Sequence, residues 1–70
     1  MKASIYQTAD DVYLAVLSSG QQIMRGSLVD LAVVLRAKGI LAAHLLFGDW
    51  RADAQLLKDT QQKELVELML

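Results

Sequence analysis

The sequence predicts an α+β domain, with strands in the first third of the chain and helices after it. Three observations carry that expectation. Residues 3–25 are rich in Ile, Tyr and Val with alternating polarity; residues 28–38 and 50–69 repeat apolar residues at helical spacing; and Gly20, Gly26, Gly39 and Gly48 fall between such segments. Proline is absent. At 70 residues and 7.7 kDa there is room for one core, so residues 1–70 are read as a single domain.

Strands are expected at about 3–7, 12–18 and 21–25, forming an antiparallel meander. Thr8-Ala9-Asp10-Asp11 is polar and suits the first turn, and Ser19-Gly20 suits the second. Pairing Gln7 with Val12 and Ser18 with Gln21 gives the sheet two faces. Ile5, Val12, Leu14, Val16 and Ile23 form the expected core face. Ser4, Tyr6, Tyr13, Ala15, Leu17, Gln22 and Met24 form the other, with Tyr6 and Tyr13 as a cross-strand pair.

A helix over 28–38 is signalled at both ends. Ser27 can accept from the backbone of Asp30, whose charge suits a helix N-terminus. Gly39 can take the left-handed position after the helix, with Ile40 folding back as the hydrophobic contact of a Schellman motif. Leu28, Leu31, Ala32 and Leu35 form the face expected on the sheet, whereas Val29 and Val33 form a second apolar stripe. A helix apolar on two sides is normally covered on two sides. That stripe is therefore read as a self-association or partner surface, or as the seat of the C-terminal helices.

Residues 42–47 are short and apolar and read as a further extended segment. Asp49 is a candidate cap for a helical segment starting at Trp50, and Asp59 to Gln62 offers a second start. One or two helices are expected over 50–69, with Leu57, Leu65, Leu68 and Met69 on one stripe and Gln61 in its middle.

Composition narrows the function classes. Cysteine is absent and histidine occurs once, so disulfides, thiolate metal sites and thiol catalysis are excluded, and a zinc site lacks its usual ligands. No cofactor and no metal are expected. Seven basic and eight acidic residues leave a net charge of −1, without the basic excess of a typical nucleic-acid binder. No apolar leader follows Met1-Lys2, and the apolar run from Ile40 to Phe47 is too short to span a bilayer. The expectation is a soluble cytoplasmic protein with no membrane partner. At 54 % hydrophobic residues, the chain carries more apolar surface than so small a core normally hides, which points to association, with a homodimer expected.

The candidate chemistry is sparse. His44 alone titrates near neutrality in its unperturbed state, and it reads as the edge of an apolar segment or as a general base. Asp10 and Asp11 read as solvated turn residues, since a calcium loop needs more oxygen ligands at set spacing. Arg25-Gly26-Ser27 lacks the spacing of a phosphate loop. Tyr6 and Tyr13 beside Met24 suit a protein interface or, less well given the charge balance, unstacked bases. Trp50 and Arg51 are of the types enriched at interface hot spots, although Trp50 also reads as a plug at one end of the core. Val29, Val33, Tyr6, Tyr13, Met24, Trp50 and Arg51 are therefore the candidate partner-binding residues. The expected function is a small non-catalytic protein-interaction module: a regulator, inhibitor or adaptor acting by surface occupation. A small nucleic-acid-binding regulator is the alternative. An enzyme completed across an oligomer interface, with His44 beside Arg51 of a second copy, is a third reading.

Overall fold

Alternating β-branched, aromatic and small residues build an antiparallel meander from β1 (Ala3–Ala9), β2 (Val12–Leu17) and β3 (Gln22–Arg25). Two short strands, β4 (Leu45–Leu46) and β5 (Gln55–Leu56), share the remaining edge of β1. The first runs parallel to it beside Ala3 and Ser4, and the second antiparallel beside Tyr6 and Gln7. Helices α1 (Leu28–Ala37) and α2 (Asp59–Met69) both lie on one face. The structure, a computed structural model covering residues 1–70, is thus an α+β fold with a mixed five-stranded sheet. No helix is long and apolar enough to cross a membrane.

Helix α1 forms as its end signals predict. Ser27 Oγ accepts from the Asp30 backbone N–H at 3.1 Å. At the other end Gly39 has φ +79, its N–H donates to Arg36 O, and the Ile40 N–H donates to Leu35 O. These two bonds define a Schellman motif, and Ile40 is buried as its hydrophobic contact. Leu28, Leu31, Ala32 and Leu35 are the buried residues of α1, the four expected from helical periodicity.

The sheet faces differ from the expected ones. Gln7 pairs with Tyr13, not Val12, and Leu17, not Ser18, bonds to Gln21. A register irregularity between Gln7 and Ala9 leaves Thr8 unpaired, and the second turn holds three residues, closed by Gly20 at φ +95. Both changes move β2 by one residue, and a one-residue slip turns every side chain of a strand over. The core face accordingly carries Ala3, Ile5, Ala15, Leu17 and Ile23, packed against the two helices. Val12, Leu14 and Val16 lie on the helix-free face instead.

The C-terminal third also departs in part from expectation. Residues 42–44 form a 3-10 turn, so the extended segment expected over 42–47 is limited to β4. Of two possible helical pieces over 50–69, only the second forms, and 50–58 contain β5 instead. Helix α2 opens at Lys58, whose backbone N–H donates to Gln61 Oε1 at 2.9 Å. The Gln61 amide nitrogen also lies 3.3 Å from Gln7 Oε1 and 3.5 Å from the Tyr13 hydroxyl. That double use explains a polar residue in the middle of an apolar stripe: Gln61 caps its own helix and ties it to the sheet.

Candidate interaction surfaces

Cross-strand register places Leu56, Tyr6, Leu14 and Met24 side by side on the helix-free face, one from each of β5, β1, β2 and β3. Directly opposed residues share a face with Cβ atoms about 4.5–5.5 Å apart, so these four form one continuous apolar row. Its middle is closed and its ends are open. Tyr6 is 5 % exposed and Leu14 3 %, although neither belongs to the core cluster under the helices, while Leu56 and Met24 are exposed.

The chain between β4 and β5 runs over this face as a strap. Ser4 Oγ donates to Asp49 Oδ2 at 2.5 Å, and the Arg51 guanidinium stands 6.0 Å above the centre of the Tyr6 ring. Ser4 and Tyr6 both point to the helix-free face, so Asp49 and Arg51 point down onto it. Trp50, between them, is 83 % exposed. Its reading as a core plug is corrected: residues 49–51 form no helix, so nothing turns the indole inward. Arg51 Nε lies 2.7 Å from Asp53 Oδ1, a charge contact without hydrogen-bond alignment, since the Nε–H finds no acceptor.

The expected tyrosine pair is not formed. Tyr13 lies on the helix side, against Gln61, and Tyr6 lies on the other. The two-aromatic platform suited to unstacked bases is therefore absent. Met24 remains with Tyr6, and Leu14 and Leu56 join them. Alternation in β2 marks Leu14 as facing away from its neighbours, but only register assigns it a side. The two-residue length of β5 gives Leu56 no periodic signal.

A second surface lies on the opposite side of the molecule. Val29 and Val33 are 55 % and 62 % exposed, so α2 does not cover this stripe within the chain. Asp30, Arg36 and Ala37 are exposed around them.

His44 has a local structural role. Its Nδ1 accepts from the Leu41 backbone N–H at 3.3 Å and closes the 3-10 turn. No three His, Cys, Asp or Glu side chains gather as a metal site. A cavity of about 330 Å³ opens between the end of β1 and the strap, lined by Gln7, Thr8, Asp10, Asp53 and Gln55 among others. It is wide and polar and brings no nucleophile next to a base. No family model, curated protein or solved structure matches the chain.

Proposed function

We propose that this chain is a small cytoplasmic protein-interaction module, a non-catalytic regulator, inhibitor or adaptor that acts by occupying a surface of another protein. We also propose that it self-associates. The observation that carries this reading is the grouping of its exposed apolar side chains. Met24 and Leu56 end one cross-strand row, with Trp50 raised on the strap beside it, and Val29 and Val33 line one helix. Scattered apolar residues are ordinary on any surface, whereas contiguous patches mark interaction sites. Met24, Leu56 and Trp50, the exposed members of this face, are of the aliphatic and aromatic types that anchor interfaces, where a few such residues supply most of the binding energy. The strap adds an exposed tryptophan, together with an arginine already held in place over Tyr6. Side-chain ordering on binding is thereby reduced.

The test is site-specific photo-cross-linking in cells, with the reactive group at position 24 or 50 and at position 63 on α2 as control. A discrete protein adduct from positions 24 and 50 but not from 63 is the expected result. Equal labelling from all three positions would refute a defined partner on the helix-free face. Light scattering over a hundredfold concentration range tests self-association separately.

A further inference from the structure

The strap between β4 and β5 is anchored at its ends and lightly held along its length. Leu45 before it and Leu57 after it belong to the core cluster, and Phe47 packs against that cluster. None of residues 48–54 is buried. No backbone hydrogen bond ties them to the sheet, and the Ser4–Asp49 bond is their one side-chain hydrogen bond to it. Past Arg51 the strap stands clear of the sheet, because the cavity of about 330 Å³ separates residues 52–54 from residues 7–10. Segments with so few buried apolar contacts and backbone hydrogen bonds are the ones that open locally, below the free energy of global unfolding.

The strap also has chain to spare. Leu46 sits beside Ser4 and Gln55 beside Gln7, so its anchors lie three residues apart along β1, or roughly 10 Å. Nine residue steps join them, with an extended reach of roughly 30 Å. The strap can therefore leave the face while β4 and β5 stay paired. What it covers is the one aromatic side chain of the apolar row. Tyr6 is 5 % exposed on a face that carries no helix, and the Arg51 guanidinium stands 6.0 Å above its ring. That distance is at the outer limit of a cation–π contact. The charge contact of Arg51 is with Asp53, a residue of the strap itself, so it adds no anchor to the sheet.

We propose that residues 48–54 form a hinged strap that opens while the rest of the domain stays folded, and that its closed state masks Tyr6. The opening is a property of the free chain, whereas an inhibitory role for the masking rests on the interaction reading above. Closed, the chain offers Met24 and Leu56 as separate ends of the row; open, it adds the Tyr6 ring between them.

Nitration by tetranitromethane, mapped by mass spectrometry, reads the opening. The chain has two tyrosines and no cysteine, so Tyr13, on the helix side against Gln61, is an internal control. Asp49→Ala and Ser4→Ala remove the same hydrogen bond, the second without altering charge. Each should raise the Tyr6 rate roughly threefold to tenfold and leave Tyr13 unchanged. The double variant should go no further than either single one, since both lose one shared bond. Circular dichroism checks that every variant keeps its helices. Tyr6 rates equal to wild type in both single variants would overturn the opening, as would Tyr6 and Tyr13 rising together. Photo-cross-linking from position 24 in cells tests the masking. More adduct from Asp49→Ala than from the wild-type chain is expected, and equal adduct would overturn the inhibitory role. No adduct from either chain would overturn the interaction reading and that role with it, while the nitration rates decide the opening independently.

Discussion

Truncating neighbouring residues of β2 tests which face of the sheet the helices cover. Leu17 is 3 % exposed and belongs to the cluster formed with α1 and α2, beside Ala3 across the hairpin. Leu-to-Ala changes at such sites cost about 2–5 kcal/mol, through lost transfer energy and an unfilled cavity. Ala3 and Ala15 give little side chain with which to fill the space, so we take about 3 kcal/mol for Leu17→Ala. A 70-residue domain has a total stability of about 3.5–10 kcal/mol, so this is a large fraction of it. With a urea dependence of about 1 kcal/mol per molar, the unfolding midpoint should fall by about 3 M. Val16 is half-buried on the helix-free face, between Ser4 and Gln22. Val16→Ala should cost below about 1 kcal/mol and move the midpoint by less than about 1 M. Urea titrations followed by far-ultraviolet circular dichroism measure both. A larger loss for Val16→Ala than for Leu17→Ala would mean that the helices cover the face carrying Val16, and the register described here would be wrong.

Gly39→Ala forces a Cβ into a left-handed conformation with no atom nearby to clash. Its cost is therefore conformational alone, about 1 kcal/mol by thermal denaturation. Gly48→Ala, with equally open surroundings and no positive φ, should instead be neutral or stabilising by up to about 1 kcal/mol. Ser27→Ala removes the cap of α1 and should lower stability by about 0.5–2 kcal/mol, and Ser27→Asp should recover most of it. Asp49→Ala should release the strap from Ser4. Hydrogen exchange should then quicken over residues 47–54 and stay unchanged in α1, and uniform quickening would show that the strap is not a separate unit.

Helix α1 was legible because every signal that defines it is local. Ser27, Gly39 and the spacing of Leu28, Leu31, Ala32 and Leu35 act within a few turns of backbone, and the exposed Val29/Val33 stripe follows from the same periodicity. The strands of the meander were legible for the same reason, and their faces were not. Leu14 and Val16 are larger than Ala15, which makes them attractive core residues when β2 is read by itself. The core takes Ala3 and Ala15 instead because Leu31, Leu35, Ile40 and Leu65 fill it from the helix side. That balance of volume across two layers has no signature inside a six-residue strand. Sequence alone thus determined the class, the α1 boundaries and the excess of apolar surface. Tertiary structure decided the one-residue register of β2, the docking of two-residue strands on the edge of β1, and the strap that turns Trp50 to solvent. Each of these depends on partners distant in sequence, since pairs such as Tyr6–Leu56 and Ser4–Asp49 exist only after the chain has closed on itself.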